Sequence, residues 1–149
     1  MGNRAEPFAR LSVGVLGDDP RRARRVGQLM THKVVKVVVL QDAQTMQDAM
    51  LLLEKHPFHH LPVVHGQRAV GVLSDRDLLP FLRGDRPLDT LVRDVMSTPP
   101  RCIESDTSLS EAAKLFLHFG FRCLIVVDDE RRKVVQGIVT TMDLLRALI

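Results

Sequence analysis

The sequence predicts an α/β protein assembled from two copies of one β-α-β-β-α unit, and two observations make the prediction. The first is a duplicated stretch: Val70-Gly71-Val72-Leu73-Ser74-Asp75-Arg76-Asp77-Leu78-Leu79 recurs as Gln136-Gly137-Ile138-Val139-Thr140-Thr141-Met142-Asp143-Leu144-Leu145, at an offset of 66 residues. Each copy reads as a strand, a hydroxyl residue, an aspartate three positions on, and a helix. The second is that the same offset carries Val26-Gly27-Gln28-Leu29-Met30-Thr31 onto Val92-Arg93-Asp94-Val95-Met96-Ser97. A self-similarity of this length marks a duplicated structural unit and outranks local readings.

Between those anchors the register slips by three residues, so that Met46-Gln47-Asp48-Ala49 falls on Leu109-Ser110-Glu111-Ala112, and the stretch from Phe58 to Val64 falls on Phe121 to Val127. The second copy recovers the difference in a polar hairpin from Asp128 to Lys133. The chain therefore divides into an arm over residues 1–25, a first repeat over 26–83, a linker over 84–91 and a second repeat over 92–149.

Taken in order, the arm mixes Gly, Pro and polar residues with one short apolar patch, Leu11 to Leu16, and is expected to be partly disordered. It holds six arginines (Arg4, Arg10, Arg21, Arg22, Arg24, Arg25) against Glu6, Asp18 and Asp19, which is the whole formal charge of +3. Such a run touches nucleic acid or anionic lipid in some proteins and is a solvated helix start in more of them.

The first repeat then places Met46, Ala49, Met50 and Leu53 on one helical face ending before Pro57, and the second places Leu109, Ala112, Ala113 and Phe116 on the matching face ending at Gly120. Ser108 with Glu111 is a capping-box candidate. Each helix feeds a hairpin: Leu61–Val64 with Ala69–Leu73, and Leu124–Val127 with Val134–Val139. These strands are near-continuous apolar runs, as expected when both sheet faces are covered. A single helix pair leaves one sheet face bare, so two copies packed sheet to sheet about a pseudo-twofold is the economical arrangement.

The order of pieces resembles the cystathionine-β-synthase (CBS) domain, which occurs as tandem pairs. The resemblance lies in helix-Met-Thr/Ser, a short strand, an amphipathic helix, a strand written Leu61-Pro62-Val63-Val64, a second strand with Gly, and Ser/Thr-x-x-Asp opening a helix. It covers residues 26 to 149. The second copy departs from it where Ile125 stands at the position of Pro62.

Ser74 and Thr140 each follow a strand and open a helix, a position where a hydroxyl and free backbone N–H groups suit a phosphate. Asp77 and Asp143, one turn on, supply carboxylates able to accept two hydrogen bonds from a vicinal diol. Hydroxyl and carboxylate at fixed separation form the constellation that a nucleoside phosphate requires.

The resemblance implies that adenosine ligands, AMP, ADP, ATP or S-adenosylmethionine, bind there in the cleft between repeats. Asp77 and Asp143 would then hold the ribose, and Ser74, Thr140, Arg76, Arg122 and His59 the phosphates. The base would lie against Val38, Val39 and Leu40, against Arg101, Cys102 and Ile103, and against the turn at Pro62. The same Ser/Thr-x-x-Asp pattern is also an ordinary helix start, so a ligand-free dimerisation module is the competing reading. A nucleic-acid-binding regulator using the arginine arm is a third.

Composition restricts other classes. A chain of 149 residues, 45% hydrophobic and 26% charged, is large enough for a sizeable core and ordinary for a soluble globular protein. With no Trp or Tyr, a stacking platform for nucleic-acid bases is disfavoured. Cys102 and Cys123 lack CxxC spacing and read as thiols of a reducing compartment, and no apolar run approaches a membrane span, so the expected location is cytoplasmic. His56, His59, His60 and His65 invite a metal, but adjacent strand residues point to opposite faces and no cysteine or carboxylate completes a site. No nucleophile–base pair or phosphate-binding glycine loop is present, so neither an enzyme nor a resident cofactor is expected. The apolar residues Leu51, Leu52, Leu115 and Leu117, beyond those facing their own sheets, point to a homodimer formed helix to helix.

Overall fold

A computed structural model describes residues 25–27, 38–56 and 59–148. The arm through residue 24, the Met30-Thr31 pair and Pro57-Phe58 lie outside the described residues. The elements run β1 (Leu40–Gln41), α1 (Met46–Lys55), β2 (His60–His65), β3 (Arg68–Ser74), a 3-10 turn (Asp75–Leu78) continuing into α2 (Leu79–Leu82), a second 3-10 turn (Val92–Asp94), β4 (Cys102–Glu104), α3 (Leu109–Phe119), β5 (Cys123–Val127), β6 (Val135–Thr140) and α4 (Thr141–Leu148). This is a mixed α/β protein with two three-stranded sheets, ordered β1-β2-β3 and β4-β5-β6.

The helix limits follow from end chemistry. Before α1, Thr45 and Asp48 form a closed capping box: the Asp48 N–H donates to Thr45 Oγ1 at 3.2 Å and the Thr45 N–H to Asp48 Oδ2 at 3.0 Å. At α3, the Glu111 N–H donates to Ser108 Oγ at 3.1 Å, while the carboxylate of Glu111 takes the Ser108 hydroxyl instead of its N–H. Gly120 closes α3 with φ 69°, a left-handed conformation that costs other residues a Cβ clash. Each such cap contributes about 0.5–2 kcal/mol.

The two sheets repeat one another in detail. In each, the first strand is parallel to the second and the hairpin is antiparallel, with Leu40 opposite Val63 and Cys102 opposite Ile125. Each hairpin also carries a register shift, at Val63/Val64 and at the equivalent Val126/Val127. Apolar strand residues fill two cores: Leu40, Met46, Ala49, Leu61, Val63 and Leu73 in one, Ile103, Ala112, Phe116, Leu124, Val126 and Val139 in the other.

The packed units do not follow the sequence copies end to end. Residues 38–100 form one compact unit, and 101–148 with 25–27 belong to the other. The segment that opens the second copy thus packs in the first unit. Val92 lies fully buried in that core and its N–H donates to the Gln44 carbonyl at 2.8 Å. Ser97 and Val72 exchange backbone hydrogen bonds of 2.9 and 3.0 Å, which extends the sheet beyond β3. Val26, which opens the first copy, is buried in the other core, its N–H on the Thr107 carbonyl at 2.9 Å.

Of the four leucines expected on a free helix face, Leu51 and Leu117 are exposed, at 51% and 86%. Leu52 and Leu115 instead pack against the cores of their own units.

Candidate functional site

Each hairpin ends on its hydroxyl residue, and the pairing register fixes what stands beside it. Ser74 is opposite His60 and Thr140 opposite Cys123. The chain turns into a helix at once, so the aspartate three residues later folds back over the strand end. Ser74 donates both its N–H, at 2.8 Å, and its hydroxyl, at 3.2 Å, to Oδ2 of Asp77. Thr140 does the same to Oδ2 of Asp143, at 2.8 and 3.1 Å. In both copies one carboxylate oxygen is engaged in holding the turn.

The second oxygens differ. Oδ1 of Asp77 accepts no hydrogen bond among the described residues, and Asp77 is partly exposed. Oδ1 of Asp143 lies 3.4 Å from the Arg146 guanidinium, and Asp143 is buried. Each turn also closes from the other side as a capping box, the Asp77 N–H on the Ser74 side chain and the Asp143 N–H on Thr140 Oγ1 at 3.3 Å.

The expected phosphate residues flank these turns. His59 precedes His60, and its Nδ1 lies 3.0 Å from Asp75 Oδ2 while the Asp75 N–H donates to the His59 carbonyl. With Nδ1 facing the carboxylate, Nε2 is left for another partner. This contact holds the Asp75 carboxyl below the usual carboxylate range: the hydrogen bond from His59 is the main cause, opposed by partial burial and aided by the charges of His59 and His60. Arg76 is exposed on the same turn. In the second unit Arg122 is exposed immediately before Cys123, and Thr141 and Met142 replace the Asp75-Arg76 pair.

The residues expected around a base divide between the units as the strands do. Val38 and Val39 are half-buried ahead of β1, whose register sets residue 38 level with the start of β2, the end of the sheet where Ser74 lies. Arg101 is level with the start of β5 in the same way, its carbonyl accepting from the Ile125 N–H at 2.8 Å. Its guanidinium lies over the Phe121 ring at 4.9 Å. Leu40, fully buried, and Ile103, at 8%, give their side chains to the cores. Pro62 is buried opposite Val72, and Cys102 is a partly buried thiol outside any disulfide.

His59 pairs with Asp75 at one end of β2, and His65 with Asp42 at the other, at 3.2 Å. Among the described residues no group of three or more His, Cys, Asp or Glu is placed to hold a metal ion. Of the arginine run, Arg25 is described, and its guanidinium donates to the Asp106 carbonyl at 3.0 Å.

A cavity of about 860 Å³ lies in the second unit between β4, the first turns of α3 and the loop after β5, lined in part by Glu104, Glu111, Lys114, Asp129 and Arg131. It opens at the Val127 end of that sheet, away from Thr140 and Asp143, and none of the hydroxyl–aspartate residues lines it.

Comparison with known proteins accounts for the duplication. The model of the CBS domain matches residues 26–84 and again 92–149. The chain belongs to the CBS-domain family. A relative from Acidianus ambivalens, an uncharacterized 17.7 kDa protein, is 30% identical over 128 residues, covering 85% of this chain and 74% of its own. The chain spans 57% and 44% of the length of two other archaeal relatives, from Methanopyrus kandleri and Methanocaldococcus jannaschii. Among solved structures, CBSX2 in complex with AMP is 33% identical with a TM-score of 0.62, covering 74% of this chain and 86% of that one. The cytosolic domain of the Mg2+ channel MgtE in complex with ATP is 30% identical with a TM-score of 0.66, covering 82% and 48%. No helix among the described residues of this CBS pair is long and apolar enough to cross a membrane.

Proposed function

We propose that this CBS pair is a regulatory, non-enzymatic module of the cytoplasm that binds an adenine nucleotide, AMP, ADP or ATP, and signals its occupancy to a partner protein. The observation that carries the reading is the duplicated hydroxyl–aspartate turn. It sets a carboxylate beside a helix start twice in one chain, and two similar structures, CBSX2 and the cytosolic domain of MgtE, were solved with AMP and with ATP. Asp77 and Asp143 bind the ribose diol, while Ser74, Thr140 and the flanking His59, Arg76 and Arg122 face the phosphates. A homodimer through the exposed Leu51 and Leu117 completes the module.

One observation favours the competing, ligand-free reading. Both aspartates already cap their own strand-to-helix turns, so the motif has a structural use without any ligand. Native mass spectrometry of the purified protein separates the two. A co-purifying mass of an adenine nucleotide, or its recovery after adding AMP or ATP, supports the sensing module. A chain that stays free of AMP, ATP and S-adenosylmethionine at millimolar ligand is a structural module.

A further inference from the structure

The two hydroxyl–aspartate turns are built alike but are not equally open, and one side chain, that of Arg146, stands at the second turn without a counterpart at the first. Arg146 stands one helical turn after Asp143, a spacing at which side chains of opposite charge meet. Its guanidinium lies 3.4 Å from Oδ1 of Asp143, the oxygen that the turn itself does not use. At the equivalent place in the first repeat, 66 residues earlier, stands Pro80, which has no polar group to offer Asp77. Asp143 is 8% exposed, whereas Asp77 is partly open with Oδ1 taking no hydrogen bond among the described residues.

From this asymmetry we infer that Arg146 masks Asp143, making the Asp77 turn the tighter adenosine site of the chain and Arg146 the residue that sets the two sites apart. The inference rests on the nucleotide reading above. A ribose diol donating to the aspartate needs the oxygen that the turn leaves unused, which is open at Asp77, whereas at Asp143 it must first displace the guanidinium. The Arg146 side chain is 65% exposed, so the contact is screened and its displacement is cheap but not free. The expected separation is about fivefold in affinity, the size of an exposed i,i+3 contact together with the partial burial of the carboxylate.

Two measurements on the full chain test the masking. In the absence of nucleotide, carbodiimide labelling followed by peptide mass spectrometry reads carboxylate access directly. Asp77 is expected to label faster than Asp143 in the wild type, and Arg146→Gln to bring Asp143 up to the rate of Asp77. Equal rates in the wild type, or no change with Arg146→Gln, overturn the masking whether or not a nucleotide binds.

Calorimetric titration with AMP then reads the consequence. Two steps are expected, with Asp77→Asn removing the tighter one and Arg146→Gln tightening the weaker one about fivefold. If Asp143→Asn removes the tighter step, or Arg146→Gln loosens the weaker one, this inference fails while nucleotide binding stands. If AMP binds to none of the variants or the wild type, the nucleotide reading fails and this assignment with it.

Discussion

Gly71 faces Met96 so closely that no side chain fits between them. A Cβ on Gly71 would lie 2.5 Å from Met96 Sδ and 2.9 Å from the Ser97 carbonyl oxygen. The thioether is flexible, but the carbonyl is fixed by the Val72 N–H at 3.0 Å, so the crowding has no outlet. This contact joins the strand glycine of one copy to the Met-Ser element that opens the other. Gly71→Ala is expected to destabilise the protein by about 1–3 kcal/mol, the usual cost of overpacking, seen as a lower urea midpoint at unchanged slope. An unchanged midpoint would mean that residues 96 and 97 do not pack on β3 as described.

The His59–Asp75 contact has a pH signature. Asp75 titrates below the usual carboxylate range because His59 donates to it. A carboxyl whose folded pKa is depressed contributes stability that is present above its unfolded pKa and lost as pH falls through the folded value. His59→Gln should move the Asp75 carboxyl back towards the ordinary range in an NMR titration. It should also flatten the acid limb of stability below about pH 4, where an unperturbed aspartate titrates. The same Asp75 titration in wild type and variant would contradict the contact.

Arg122 tests how charge is used at the second turn. It precedes Cys123, the register partner of Thr140, and makes no ion pair among the described residues, whereas Asp75 and Arg76 of the first turn offset each other in charge. A unit charge within about 4 Å of a phosphate is worth up to about 4 kcal/mol at surface-like dielectric before screening. At the weaker of two binding steps, Arg122→Ala should lower ATP affinity more than AMP affinity, and Arg76→Ala should change that ratio less. Equal losses for both nucleotides would show that Arg122 does not read the phosphate count.

Leu117 is the most exposed large apolar side chain among the described residues, at 86%, and Leu51 on α1 is half exposed. If these helices carry the dimer, sedimentation of the 16.8 kDa chain at tens of micromolar gives a species of twice that mass. Leu117→Glu should give the monomer. A wild-type monomer at that concentration removes the dimer from the account.

Much of the architecture was legible in the sequence because it depends on local patterns. The apolar runs from Leu61 to Val64 and from Leu124 to Val127 are the buried strands, with limits that move by one or two residues. The helix faces led by Met46 and Leu109 are the helices, with Gly120 as the stop.

What the sequence did not show depends on pairing across distance. The exchange that puts Val92 and Ser97 with the first sheet joins residues far apart in the chain, and no periodicity reports it. The His59–Asp75 pair needs the hairpin register, which sets the residues before His60 and after Ser74 side by side. Leu40 and Ile103, candidates to line a base, have buried side chains that belong to the cores, a placement that depends on sheet pairing rather than local pattern. Arg146 was within reach of sequence reasoning, since a cation three residues after Asp143 on a helix is a recognised pair. The capping box of Thr45 and Asp48 was equally within reach.

The most direct test of nucleotide sensing is calorimetric titration of the wild type and of Asp77→Ala with AMP, at a temperature where both are folded. Removing the carboxylate also removes a turn cap worth about 0.5–2 kcal/mol of stability, so the melting curve of each protein is recorded first. Losing hydrogen bonds to a charged acceptor costs about 1.5–3 kcal/mol, so the account predicts saturable AMP binding to the wild type and, in Asp77→Ala, a loss of at least about tenfold at the tighter step, with the weaker Asp143 step retained. Folded Asp77→Ala that binds AMP as tightly as the wild type, or a wild type that does not bind it, would contradict the account.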